Sequence, residues 1–397
     1  MAITTSQYNT SNLAIVNTDI FTCGSAGYDT SRYSTSSSYS KEGDRDDGFG
    51  YGGIGQTICL HSSRLYVTEY DQIKIFREAG SSGAYIGTIT TSDQTATNQP
   101  WFLSIACGHG RIVAGQRTGS SGNYSSSVYV FDLLGGNEIK LPKSNGGGSR
   151  YGAAVSIGCG RIVVSDIDNN QAYVHDLQGR EIKRLTPHDT LPSTALYGIA
   201  AVGSGRIVVG AGHRSNTQTG TDGSVYVYDL HGTFLFKLSS PYGNGEGFGR
   251  EVSVGDGRIV VGAPEHSGTY TNDGKVYVYD LNGNSLFNLE PPDDDSTGQI
   301  FGQALAVGCG KIMIGAPFYG SNGGRVTIYN LDGDLIRTYG GNSGSYLGHS
   351  VAISNTQSGT MFAMASPEIN SQSTADVGWS FMDDLNQVHY LDQLNDR

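Results

Sequence analysis

The 397-residue chain predicts an all-β fold, a seven-bladed β-propeller built from four-stranded antiparallel blades. Three observations carry that prediction. A basic residue opens a β-branched run again and again, at Arg64, Arg111, Arg161, Arg206, Arg258 and Lys311, with spacings of 47, 50, 45, 52 and 53 residues. A second marker follows it each time from the second copy on, as "VYVFDLLGGN", "AYVHDLQGRE", "VYVYDLHGTF", "VYVYDLNGNS" and "VTIYNLDGDL". Between these markers there is no helical periodicity, and turn residues are dense, with 58 Gly. Four short strands repeated at such a period are the signature of propeller blades.

The copy at residues 247–289 shows each element. Glu251 to Val254 reads as a short first strand. Gly255-Asp256-Gly257 is a tight turn, since Gly tolerates positive φ. Arg258 to Val261 is β-branched and reads as a second strand. A polar loop runs from Glu265 to Gly274. Val276 to Tyr279 is a third strand, Asn282-Gly283 the hairpin turn, and Leu286 to Leu289 a fourth strand. A seventh copy has Thr360 in place of the cation, 49 residues after Lys311, inside "GTMFAMASPE". Continuous apolar runs such as "RIVVGA" fit inner strands covered on both faces by neighbouring blades. Residues 1–48 differ: "GYDTSRYSTSSSYSKEGDRDD" is polar and Ser-rich and does not build a core alone. The expected organisation is a 1–48 N-terminal extension that anchors or assembles, and a 49–397 propeller.

The blade resembles the FG-GAP repeat of integrin α-subunit propellers and of many bacterial and viral surface proteins. Phe248-Gly249 and Gly262-Ala263-Pro264 are its two motifs, and Phe301-Gly302 and Gly315-Ala316-Pro317 repeat both. Weaker versions are Ile54-Gly55, Tyr151-Gly152, Tyr197-Gly198 and Leu347-Gly348, while the second copy reads Trp101-Phe102. Many members of that family carry an Asp-x-Asp-x-Asp-Gly calcium loop between the first two strands. Here that loop is "VGDGR", "VGSGR" or "IGCGR", too short and too poor in carboxylates for the six to eight oxygens calcium takes. No metal and no cofactor is therefore expected; Asp166 and Asp168 in "SDIDNN" are the nearest imitation and lie in a different loop.

Net charge is −12 and the isoelectric point about 5.1. That balance argues against nucleic acid and anionic membranes as partners, which need basic patches. No apolar run is long enough to insert in a membrane. The first residues have no basic segment followed by a hydrophobic one, so no secretory signal is read there. Of five Cys, Cys107, Cys159 and Cys309 are read at the same turn position in different blades. Residues so placed are expected to be too far apart to bridge, which makes them free thiols of a reducing cytoplasm.

Signals of enzymatic chemistry are sparse. There is no G-x-S-x-G, phosphate-binding loop, H-E-x-x-H or C-x-x-C. Gly48-x-Gly50-x-x-Gly53 formally matches a dinucleotide motif but has no strand before it and no helix after it. Asp293-Asp294-Asp295 reads as a solvated loop. Loop length is more informative. The first turn is short in most copies and the third usually is, whereas the second loop and the blade-to-blade link vary, and in an antiparallel blade these open on the opposite face of the ring. Repeat proteins place binding on the variable face. The candidate ligand-binding residues there are Tyr124, His213, Tyr242, His266, Tyr270, Tyr319 and Tyr346. The recurring cation sits on the other face, where it is expected to pair with a carboxylate such as Asp132, Asp176, Asp229 or Asp280.

With the resemblance, these features make the expected function non-enzymatic: a virion structural or adhesion protein, of a tailed-phage tail, fibre or accessory kind. It would be made in the host cytoplasm, contact other virion proteins through residues 1–48, and bind a host-surface glycan or receptor. The alternatives are an exported cellular adhesin or lectin-like propeller and, further off, a propeller glycosidase or lyase.

Overall fold

A computed structural model describes residues 57–365, apart from short loop stretches of which the longest are 94–100, 144–149 and 214–222. The segment 1–48, Tyr270 and Asp293-Asp294-Asp295 lie outside the described residues. The chain forms successive antiparallel sheets in sequence order. The first blade holds β1 (Ile58–His61), β2 (Arg64–Glu69), β3 (Gln72–Ala79) and β4 (Ser82–Ile89). The second holds β5 (Trp101–Gly108), β6 (Arg111–Ser120), β7 (Asn123–Asp132) and β8 (Ile139–Lys140). The third holds β9 (Tyr151–Gly158), β10 (Arg161–Asp166), β11 (Gln171–His175) and β12 (Glu181–Leu185). The fourth holds β13 (Ala195–Gly203), β14 (Arg206–His213), β15 (Ser224–Tyr228) and β16 (Phe234–Ser239). The fifth holds β17 (Glu251–Gly255), β18 (Arg258–Ala263), β19 (Lys275–Asp280) and β20 (Ser285–Leu289). The sixth holds β21 (Ala304–Gly308), β22 (Lys311–Ala316), β23 (Arg325–Asn330) and β24 (Leu335–Gly340). A last sheet contains β25 (Ser350–Asn355) and β26 (Thr360–Ala365).

Among the described residues the ring is a β-propeller with six four-stranded blades, where the sequence predicts seven. The two-stranded sheet β25–β26 occupies the seventh position. First strands neighbour one another around the ring, and β25 lies between β21 and β1. Closure is apolar: Ile58, Leu60, Leu65, Val67 and Phe76 pack with Ala352, Met361, Ala363 and Ala365. The repeat count is a property of spacing, but a blade is a property of pairing, and among the described residues β26 pairs with β25 alone.

Burial follows strand rank. β17 and β21 are buried at every residue, and β18 and β22 at every residue after the opening cation. The fourth strand β16 alternates instead, because one of its faces meets solvent. The large buried side chains are mostly aromatic, with Tyr66, Tyr129, Tyr151, Tyr173, Tyr197, Tyr226, Tyr277, Phe248 and Phe301 all below 2% exposed.

The cysteines depart from expectation. Cys59 of β1 and Cys107 of β5 form a disulfide with a Cα–Cα distance of 5.9 Å. Cys107 is not a turn residue: it lies inside β5, opposite Ile112. First strands of adjacent blades run side by side, so their residues can approach as closely as a disulfide requires. Cys159 is also disulfide-bonded. Cys309 is a free thiol, and burial pushes its pKa up to about 12.

Candidate functional site

The two faces of the ring are built differently. On the face carrying the first and third turns, repeated residues are consumed by blade-to-blade bonding. Arg161 Nε donates to Leu230 O at 2.9 Å, Arg206 Nε to Leu281 O at 3.2 Å, and Arg258 Nε to Leu331 O at 3.4 Å. Each acceptor belongs to the third turn of the following blade. In the first blade the Tyr66 hydroxyl takes that role, donating to Leu133 O at 3.2 Å. Arg161, Arg206 and Arg258 thus meet main-chain carbonyls rather than the predicted carboxylates. A third-turn carbonyl projects toward the neighbouring blade, while the acid before it is engaged by its own turn. Asp229 Oδ1 accepts from the N–H groups of His231 at 2.9 Å and Thr233 at 2.8 Å. Asp132, Asp176, Asp280 and Asn330 repeat that clamp. Arg111 does stand near Asp132, adding to the Leu134 N–H, the larger cause holding that carboxyl below its ordinary range.

The first turns are linked as well. The left-handed residue of one turn accepts from a glycine N–H of the next: His109 from Gly160 at 3.3 Å, Ser204 from Gly257 at 3.2 Å, and Asp256 from Gly310 at 2.7 Å. The single carboxylate of "VGDGR" is therefore a blade-to-blade acceptor. Asp166 and Asp168 are committed too. Asp168 pairs with Arg150 Nε at 2.6 Å, and buried Asp166 accepts from Asn169 Nδ2 at 2.8 Å. Among the described residues no group of His, Cys, Asp and Glu could hold a metal ion, and no helix is long and apolar enough to cross a membrane.

Behind the opposite face, the Phe-Gly and Gly-Ala-Pro positions touch each other. Gly302 N donates to Gly315 O of its own blade at 3.1 Å. Its carbonyl lies against Gly262 of the preceding blade, so closely that a Cβ on Gly262 would overlap it. Gly249 on Gly210, Gly348 on Gly315 and Gly152 on Gly115 repeat the contact. The third blade departs from this, with Ser165 in the Gly262 position and its Oγ accepting from Ala154 N at 2.7 Å.

Above these contacts the links bring acids to the third-strand tyrosines. Tyr129 Oη donates to Asp93 at 2.8 Å, and Lys140 bonds the same carboxylate. Lys140 and then Tyr129 hold the Asp93 pKa below the ordinary carboxylate value. Tyr226, Asp189 and Lys237 reproduce the triad in the fourth blade. In the fifth blade the arrangement is larger. Tyr277 Oη donates to Glu246 Oε2 at 2.6 Å, His266 Nδ1 lies 2.9 Å from the same oxygen, and Ser240 Oγ donates to Oε1. Burial first, and then the hydrogen bond to Glu246, push the Tyr277 pKa far up. Arg250 pairs with Glu265 beside it. Over this network stands Tyr242, 63% exposed. Its ring meets the His266 ring edge-on at 5.0 Å, and Lys275 Nζ lies 4.7 Å from its centroid. Lys275 in turn bonds Glu290 Oε1 at 2.6 Å.

Of the predicted binding residues, the structure brings Tyr242 and His266 together. Tyr319 and Tyr346 lie at the sixth blade: the Tyr319 ring is covered by the Arg325 guanidinium at 3.3 Å, and the Tyr346 ring meets Phe318 at 5.7 Å. Both are half-buried. Tyr124 and His213 are strand residues, paired in register with Gly119 and Ala195. Glu246, Lys275, Tyr277 and Glu290 are not foreseen from the sequence. The available signal is Tyr277, which occupies the tyrosine position of the recurring "VYVYD". No protein-family model matches the chain, and no curated protein matches it.

Proposed function

We propose that the protein is a non-enzymatic FG-GAP-like propeller of a virus particle, a tailed-phage tail, fibre or accessory component that displays its loop face for binding a host surface or another protein. The division of labour between the faces carries this reading. Residues repeated by blade symmetry are used to hold blades together, whereas the loop face bears side chains peculiar to single blades, Tyr242 foremost. A rigid scaffold with one individual face suits recognition. The Cys59–Cys107 disulfide favours a destination in an oxidising milieu, as at a particle surface, over the reducing cytoplasm. Residues 1–48 are proposed to contact other virion proteins. Immunogold labelling of purified particles, together with adsorption of the fluorescent protein to host cells, tests the reading; no labelling and no adsorption overturn it.

A further inference from the structure

We propose that Tyr242 is the stacking platform of a subsite for a neutral pyranose, a reading that rests on the display function above and names its ligand class. Tyr85 and Tyr242 are the exposed aromatic side chains among the described residues, at 55% and 63%. They differ in setting. Tyr85 belongs to the outer strand β4. Tyr242 stands on the loop face, in the link between the fourth and fifth blades. Its main-chain N–H donates to Ser240 Oγ at 3.2 Å, the His266 ring flanks it, and the Lys275 ammonium lies 4.7 Å from the ring centroid. Ser240 and His266 are themselves tied to buried Glu246. The ring is thus immobilised before any ligand arrives, which removes an ordering cost from binding, and most of its surface stays open.

A pyranose offers the complementary surface. One face of the sugar presents C–H groups that pack on an aromatic ring, while its hydroxyls point sideways and need polar partners. Glu290, whose side chain is 66% exposed, and the Lys275 ammonium bonded to it stand beside the ring. A carboxylate accepts from sugar hydroxyls and an ammonium donates to them. Local charge selects the kind of sugar. Lys275 is neutralised by Glu290, Arg250 by Glu265, and Glu246 adds a further carboxylate. A sialylated or sulfated glycan would meet net negative charge here, and a neutral one would not.

The test uses the full chain on an array of neutral, sialylated and sulfated glycans, followed by titration calorimetry with the best neutral oligosaccharide. Neutral glycans are expected to bind. Tyr242→Ala should weaken binding at least about tenfold, while Tyr242→Phe stays within about threefold and Tyr85→Ala has no effect. Tyr242→Ala should keep the wild-type melting temperature, since Tyr242 is exposed. Preference for anionic glycans, or full binding by Tyr242→Ala, overturns the subsite. Adsorption to cells that resists periodate oxidation of their glycans but not protease treatment also overturns it, and leaves the display function standing with a protein receptor.

Discussion

The turn face and the loop face of this ring use the same residue types to opposite ends. On the turn face Arg206 reaches Leu281 O and Asp256 reaches Gly310 N, and equivalent residues make the same bonds blade after blade. On the loop face the acid–tyrosine–lysine motif starts as a repeat, Asp93–Tyr129–Lys140 and Asp189–Tyr226–Lys237, and is then altered in the fifth blade into the Glu246–Tyr277–His266 network beneath Tyr242. Symmetry-repeated polar groups hold the ring; polar groups that break symmetry are free to acquire a ligand. Identical surface chemistry therefore has different meaning according to whether its neighbour is the next blade or solvent.

The largest effect should come from the backbone contact behind the loop face. Gly262→Val places a side chain against the Gly302 carbonyl, where no flexible atom can move aside. Loss of more than about 4 kcal/mol, or no soluble monomer, is expected. A cooperative melt near wild type would refute the contact. Next is the covalent link between the first two blades. Reducing Cys59–Cys107, which closes a separation of 48 residues, should cost about 2–5 kcal/mol and lower the melting temperature. An unchanged melt in reductant would show that the pair adds nothing.

A third test probes the interior between the faces. His175 is fully buried with neither ring nitrogen hydrogen-bonded, and burial brings its pKa down to about 4. Asp176 opposes the shift more weakly. The folded pKa lies below the unfolded value, so the unfolded state takes up a proton first as pH falls. Stability due to neutral His175 is complete above the unfolded pKa and declines between about pH 6.5 and 4, by about 3 kcal/mol. His175→Phe, which matches Phe131 at that blade position, should flatten the dependence in urea titrations across this range. An unaltered pH profile would exclude His175 as its source.

The smallest effects separate the faces most cleanly. Arg206→Leu removes the bond to Leu281 O and should cost about 1–3 kcal/mol without touching recognition. Tyr242→Ala should change stability by less than about 0.5 kcal/mol while abolishing adsorption. If Arg206→Leu weakened adsorption and Tyr242→Ala weakened folding, the assignment of the faces would be reversed.

Strand order, turn positions and the ring itself are legible in the spacing of the cation and of "VYVYD", because each blade repeats the same local pattern of β-branched runs and glycine turns. Tyr242 and His266 are legible as loop-face residues for the same reason. Their partners are not. Glu246 comes from a link, Lys275 and Tyr277 from a third strand and Glu290 from the next link, and nothing in local periodicity says that these meet. Cys107 shows the limit in another form: its distance from Cys59 along the chain is large, and only the parallel stacking of first strands on neighbouring blades brings the two within 5.9 Å.

Local sequence by itself determined the strands, because alternating turn and β-branched segments leave the backbone few other ways to satisfy its hydrogen bonds. The tertiary structure alone decided which polar residues are spent on the ring and which remain for a ligand. That choice depends on whether a side chain faces the next blade or water, and the angle between blades is set by packing that no single repeat contains.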